Sequence, residues 1–325
     1  MVLQLAFSLL LGAFFIWFFV RRLAQEEIDQ IWDVFGRANY GWITISLIVA
    51  VLSHWFRAIR WILLLQPMGY KPKYINTFGA VMIGYLGNLV FPRLGEILRC
   101  SSLYQQEKVP VSKSLGTVVT ERAIDFIIYA ALFVFVIITF GENIYSYIEI
   151  TFLAPILEKV SFWKLAVLLF GITVALLGIY FLFRRKLIQY GVVRKIENFA
   201  ISLWDGLKSI VYLKRPWIFL VQTFMIWFCY YLGLYVCFFA LPETSSLGWE
   251  PAMVAFVLST VGSMLVQGGM GIYPMLIAGS LAIYGIADVK GYALGWLIWG
   301  AQQIVVVVLG TLFIILLPYF NRKKR

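Results

Sequence analysis

Most of the chain consists of apolar runs of about 20 residues, which are separated by short charged connections. Runs of this length and composition predict helices that span a membrane. Six runs fit full spans: Leu3–Val20, Ile43–Leu65, Ser114–Phe140, Trp163–Phe183, Trp217–Leu241 and Tyr292–Leu317. The pattern therefore predicts an all-α polytopic membrane protein.

Two further apolar stretches are too interrupted to cross a bilayer as single helices. Residues 77–106 contain glycines and Pro92, and residues 252–286 contain the glycine-rich turn Gln267–Gly271. Short segments broken by glycine or proline are typical of re-entrant helices. From the number of full spans before and after each broken stretch, we expect the two re-entrant pairs to enter the membrane from opposite faces. This is the arrangement of an inverted transporter repeat. The residues themselves show no internal repeat.

Composition supports one membrane domain over residues 1–325, since 62% of the residues are hydrophobic and only 13% are charged. The net charge is +11, and its basic residues lie beside the spans, as the positive-inside rule requires. This favours anionic lipid over nucleic acid as the partner. The basic amphipathic stretch 184–215 and the cationic tail 322–325 place both termini in the cytoplasm, and we expect a plasma-membrane location.

Charged residues are concentrated around the first broken element and on the helices beside it. These residues are Arg57, Arg60, Arg93, Glu96, Arg99, Glu121, Arg122 and Asp125. Charges at membrane depth are costly and usually serve a pathway or site. We interpret them as a polar pocket whose arginines bind phosphate through paired, charge-assisted hydrogen bonds. The alternative is a set of structural ion pairs that brace the helix ends.

The second break offers backbone groups at residues Gln267, Gly268, Gly269 and Gly271. Irregular backbone at membrane depth is tolerated only against protein or a water-filled cavity. The turn therefore predicts either a headgroup site or a glycine hinge for close helix packing. No nucleotide loop, nucleophile elbow or metal-ligand spacing occurs, so we expect neither a cofactor nor an enzyme.

Three sequence blocks resemble the transmembrane region of lysylphosphatidylglycerol synthases, a flippase-like membrane domain. They are Arg57-Ala-Ile-Arg60-Trp61, then Asn88 followed by Pro92-Arg93-Leu-Gly-Glu96-Ile-Leu-Arg99, and Gly116-Thr-Val-Val-Thr-Glu121-Arg122-Ala-Ile-Asp125. The resemblance implies a protein that moves an anionic or aminoacylated phospholipid between leaflets, without a synthetase domain of its own. It also adds Asn88 to the candidate substrate-binding residues.

One departure from that family pattern concerns the second break. Many relatives have Pro-Gly-Gly-x-Gly-x-x-Glu there, whereas this chain begins with Gln267 and has Pro274 in place of the glutamate. If that glutamate meets a cationic headgroup in relatives, an ordinary anionic lipid or a polyprenyl phosphate is the better substrate here. The alternatives to a translocase are a membrane transferase acting on a lipid, and a scaffold for a separate lipid synthase.

Overall fold

The computed structural model describes residues 24–91, 94–148 and 213–321, together with positions 16, 17, 21 and 171. Described residues form α-helices and short turns, and the α-helices are numbered here in chain order: α1 Gln25–Arg37, α2 Tyr40–Leu65, α3 Tyr74–Val90, α4 Leu94–Glu107, α5 Val111–Ile148, α6 Pro216–Phe238, α7 Pro242–Ser245, α8 Trp249–Leu265, α9 Ile272–Ala282 and α10 Asp288–Phe320. The all-α prediction is confirmed.

Four of the described helices, α2, α5, α6 and α10, are long and apolar enough to cross a membrane. They correspond to four of the six predicted spans, and the chain is a multi-pass membrane protein. The predicted spans Leu3–Val20 and Trp163–Phe183 lie almost wholly outside the described residues. The same is true of the basic stretch 184–215 and of the tail 322–325.

The chain divides into two compact units, each of which is described separately. One unit contains Met1–Arg122 and Ser209–Arg325, and the other contains Ala123–Lys208. Helix α5 begins in the first unit, and its residues from Ala123 onward belong to the second. The packing and the sites considered below all lie in the first unit.

Helices α3 and α4 form the first re-entrant pair and run antiparallel. At their inner ends Gly84 packs on Gly95, and at their outer ends the Glu107 carboxylate accepts a 3.0 Å hydrogen bond from the Lys73 amide. A side chain at Gly95 would overlap the Gly84 carbonyl oxygen, so glycine is required for this approach. With 17 residues, α3 is about 25 Å long, too short to span a membrane comfortably.

Helices α8 and α9 form the second re-entrant pair. Gly262 on α8 packs against Ile272 and Leu276 of α9, and the Tyr284 hydroxyl donates a 3.1 Å hydrogen bond to Glu250 at the far end. The chain reverses between them at Gly268, Gly269 and Gly271, which have φ values of 64°, 73° and 73°. Such left-handed conformations favour glycine, which explains the composition of this turn.

The long helix α10 sets the two pairs in opposite orientations. Its first turns pack against α9, where Gly291 meets Ala278 and Gly295 meets Pro274. Its last turns pack against α3, and at their ends Asn321 and Asn76 exchange hydrogen bonds of 2.9 and 3.1 Å. The two pairs therefore enter from opposite ends of α10 and bring their tips together near its middle.

The tips themselves are in contact. A Cβ atom at Gly268 would lie 3.6 Å from the Leu89 side chain, which belongs to the last turn of α3. The indole of Trp299, in the middle of α10, donates a 2.5 Å hydrogen bond to the Gly268 carbonyl oxygen. This arrangement confirms the prediction of two oppositely oriented broken elements.

Candidate functional site

A buried ion cluster, formed by Glu121 and three arginines, lies next to the tip of the first re-entrant pair. The Glu121 carboxylate on α5 accepts hydrogen bonds from Arg57 on α2 and from Arg99 on α4, the latter at 3.0 and 3.4 Å. Arg60, one turn after Arg57, brings its Nη2 atom to 3.3 Å from the same carboxylate. None of the four residues is more than 4% exposed.

Aromatic and hydroxyl side chains hold these guanidinium groups in place. Arg99 stacks on the Trp61 ring, with its Cζ atom 3.8 Å from the ring centre. The Trp61 indole in turn donates a 2.9 Å hydrogen bond to Thr117, one turn before Glu121 on α5. Arg57 donates a 2.9 Å hydrogen bond to the Tyr230 hydroxyl on α6. Four helices, α2, α4, α5 and α6, thus contribute side chains to the cluster.

The Glu121 carboxylate is shared by three guanidinium groups in a region closed to water. Burying an ion costs on the order of several kcal/mol unless it is paired and hydrogen-bonded. The Arg99 Nε atom is buried and has no hydrogen-bond partner among the described residues. It is therefore a donor that an anion could use.

A cleft at the tip of the first pair reaches this cluster. It is narrow, with a volume of about 10 Å³, and its polar lining includes Asn88, Glu96, Arg99 and Arg122. The Arg122 side chain is 45% exposed and stays 3.9 Å from Glu96, while Glu96 Oε2 is buried without a partner in the described part of the chain. Asn88 accepts a 2.8 Å hydrogen bond from the Gly95 amide, which fixes the start of α4.

A larger cavity lies on the other side, beside the second tip. Its volume is about 290 Å³, and it is lined by residues of α2, α6, α8, α9 and α10 and by Gly268 of the turn. We call it the uncharged cavity because, among its described lining residues, none is acidic or basic. Its polar lining includes Tyr230, Ser259, Ser263, Gln302 and Gln303.

Two tyrosines connect the cleft and the uncharged cavity. Tyr85 lines the cleft and Tyr230 lines the cavity, and their hydroxyl oxygens are 3.5 Å apart. Because Tyr230 also accepts a hydrogen bond from Arg57, it joins the cavity to the ion cluster. Cleft, cluster and cavity are therefore neighbours in one unit of the chain.

The structure brings most of the predicted charged residues together. Arg57, Arg60, Arg99 and Glu121 form the buried cluster, and Asn88, Glu96 and Arg122 line the cleft beside it. Arg93 lies outside the described residues. Asp125 is buried in the second unit and is not assigned to this site.

Among the predicted residues of the glycine-rich turn, Gly268 lines the uncharged cavity. Its carbonyl oxygen also accepts the hydrogen bond from the Trp299 indole. Gly269 packs against Ser263 and Tyr273, while Gln267 and Gly271 contribute turn backbone.

Several residues of the site were not predicted from the sequence. Trp61 could have been found, because it lies one turn after Arg57 and so shares its helix face. Tyr85, Tyr230 and Trp299 carry no sequence signal that separates them from the many other aromatic residues of the spans. Among the described residues, no group of histidine, cysteine and carboxylate side chains could hold a metal ion.

The fold and site define a multi-pass helical membrane protein with two opposed re-entrant pairs and an arginine-rich buried cluster beside the tip of the first pair. Within that class, the chain belongs to the family described as the lysylphosphatidylglycerol synthase transmembrane region, whose model matches residues 1–310. This confirms the resemblance found in the sequence. The family indicates a lipid-related function in a membrane.

Two relatives are similar over part of their length. A UPF0104 membrane protein of Methanocaldococcus jannaschii is 27% identical over 135 residues, which is 41% of this chain and 40% of the relative. The glycosyltransferase AglD of Haloferax volcanii is 29% identical over 105 residues, which is 32% of this chain but only 17% of the relative. The chain thus aligns with less than half of either relative. No solved structure matches it.

Proposed function

We propose that this protein moves a phosphate-bearing lipid, an anionic or aminoacylated phospholipid in the first instance, between the leaflets of its membrane. The observation that carries the proposal is the buried ion cluster, in which three arginines share the single carboxylate of Glu121. Three buried arginines beside the tip of the first re-entrant pair suit a phosphate that must leave water during its passage.

The cleft supplies the entrance in this proposal. The Arg122 side chain is exposed and can attract the phosphate first, while Arg99 lines the deeper part of the cleft with a free Nε donor. Arginine suits this role because its planar group offers paired donors to phosphate oxygens. Glu121 holds the guanidinium groups in position, and the acyl chains stay in the surrounding lipid.

The test is lipid movement in liposomes that contain the purified protein and a headgroup-labelled phosphatidylglycerol. A membrane-impermeant reagent quenches the label on the outer leaflet, whereas label on the inner leaflet is protected. Movement of lipid from the inner to the outer leaflet therefore appears as quenching of this protected fraction. We expect the wild type to move the lipid and Arg99→Gln to slow it at least tenfold, about the effect of one lost charge-assisted contact.

A matched control is Arg215→Gln, which makes the same chemical change at an exposed position. It should move lipid at the wild-type rate. Equal rates for Arg99→Gln and the wild type, with both proteins folded, would refute the role assigned to the cluster. A folded wild type that moves no lipid of any kind would refute the proposal itself.

A second candidate is a membrane transferase acting on a lipid or polyprenyl phosphate, and the observation that favours it is the partial similarity to a relative named as a glycosyltransferase. The same liposomes distinguish the two functions. After addition of radiolabelled sugar nucleotides, a transferase would produce a labelled lipid, whereas a translocase would leave the lipid chemically unchanged.

A further inference from the structure

The lining of the uncharged cavity indicates what kind of headgroup it accepts. Its described polar groups are amides, hydroxyls and an indole, in particular Tyr230, Ser259, Ser263, Trp299, Gln302 and Gln303. A cavity of about 290 Å³ has room for a group the size of a glycerol or a sugar ring.

Gln302 and Gln303 provide hydrogen-bonding capacity that the fold leaves unused. In the part of the chain that the structure describes, neither side-chain amide makes a hydrogen bond to another residue, although both line the cavity and are only partly exposed. Each amide offers two donors and one accepting oxygen. Hydroxyl groups, which both donate and accept, match this set.

An ammonium group finds no such match. It has only donors to offer, and it would enter a partly open space in which no described lining residue carries a negative charge. Without a carboxylate nearby, it would lose water and gain no countercharge.

We propose that the uncharged cavity binds the distal part of the transported headgroup and selects an uncharged, hydroxyl-rich group on a phosphate lipid, such as glycerol or a sugar. The phosphate then lies toward Arg57, on the far side of Tyr230, while Gln302 and Gln303 contact the hydroxyls. This inference rests on the proposed function and narrows it, because it places phosphatidylglycerol and glycosylated phosphates ahead of aminoacylated lipid.

The experiment measures binding rather than movement, so that the two proposals can fail separately. The purified protein in detergent is titrated with phosphatidylglycerol, lysyl-phosphatidylglycerol and a polyprenyl-phosphate hexose, and bound lipid is counted by native mass spectrometry. We expect lysyl-phosphatidylglycerol to bind at least about tenfold more weakly than phosphatidylglycerol with the same acyl chains, a ratio that one unfavourable polar contact can produce.

Two variants and one control test the assigned residues. Gln302→Glu adds the missing negative charge with little change of shape, and it should reduce or reverse the preference against the lysyl lipid. Gln302→Leu should weaken phosphatidylglycerol binding by up to about tenfold, since it removes the amide without adding a charge. Gln105→Glu makes the same acidic change at an exposed position of α4 and should leave the binding ratio unchanged.

The outcomes separate the two claims. This inference would be overturned if lysyl-phosphatidylglycerol bound as tightly as phosphatidylglycerol. It would also be overturned if Gln302→Leu left the binding of phosphatidylglycerol and of the polyprenyl-phosphate hexose unchanged. Neither result would contradict the proposed lipid movement. If the protein preferred phosphatidylglycerol to lysyl-phosphatidylglycerol but moved no lipid, the headgroup site would be supported and the proposed translocation would be overturned. Tighter binding of the hexose phosphate than of phosphatidylglycerol would support the site and identify a sugar as its occupant.

Discussion

The most direct test of the buried cluster is Glu121→Gln. This change keeps the shape of the side chain and one accepting oxygen but removes the negative charge that three buried arginines share. Removing one partner of a buried ion pair typically costs about 3–5 kcal/mol, because the remaining charge is left uncompensated. Since three guanidinium groups depend on Glu121, we expect a loss in the free energy of unfolding at the upper end of that range.

Reversible unfolding in mixed micelles, titrated with a denaturing detergent, measures this loss. Glu142→Gln serves as the control because it removes a carboxylate at an exposed position of α5, and it should change the free energy of unfolding by no more than about 0.5 kcal/mol. A Glu121→Gln protein that loses less than about 1 kcal/mol would refute the argument, because surface ion pairs contribute no more than that.

A second variant tests whether the cost arises from the arginines. Arg60 is fully buried and its Nη2 atom is 3.3 Å from the Glu121 carboxylate. If loss of the shared carboxylate is the cause, Arg60→Met should recover part of the stability that Glu121→Gln loses, because it removes one of the cations that Glu121 pairs with. Additive losses in the double variant would mean that the two side chains do not interact.

Two further predictions concern packing and pH. Gly95→Ala should lower the free energy of unfolding by about 1–3 kcal/mol or more, because its Cβ atom would overlap the Gly84 carbonyl oxygen. Gly116→Ala, which has open space around it, should change the free energy of unfolding little. Unfolding titrations of both variants measure the difference. The hydrogen bond from Arg37 lowers the pKa of Glu243 from 4.5 to about 2. The ion pair of Glu243 with Arg37 should therefore stabilise the fold fully above pH 4.5, and this stabilisation should be lost as the pH falls toward 2. Glu243→Gln should abolish that part of the pH dependence of the free energy of unfolding. An unchanged pH profile in this variant would contradict the prediction.

Much of this fold follows from local sequence rules. Apolar runs long enough for a bilayer give α2, α5, α6 and α10, and glycine with proline interrupts the shorter runs. The start of α4 at Leu94 and the end of α3 at Val90 fall within two residues of Pro92, where the sequence predicted the break. These features are predictable because each depends on residues close together in the chain.

The pairing inside the site was not predictable in the same way. Glu96 and Glu121 both stand among arginines in the sequence, and only the packing of α2 and α4 against α5 makes Glu121 the shared carboxylate. Glu96 instead stays at the edge of the cleft, 3.9 Å from Arg122. The uncharged cavity was also missed, since its lining comes from five helices and no short motif unites Tyr230 with Gln302.

The energetic balance of the ion cluster is itself an argument for function. A buried ion pair contributes little to stability when compared with apolar residues of similar volume, and replacing it is often neutral or stabilising. Arg60 and Arg99 are nevertheless almost fully buried together with the carboxylate that they share. Stability alone does not explain why charged side chains occupy these positions, whereas binding of a phosphate at the cluster, as proposed above, would explain them.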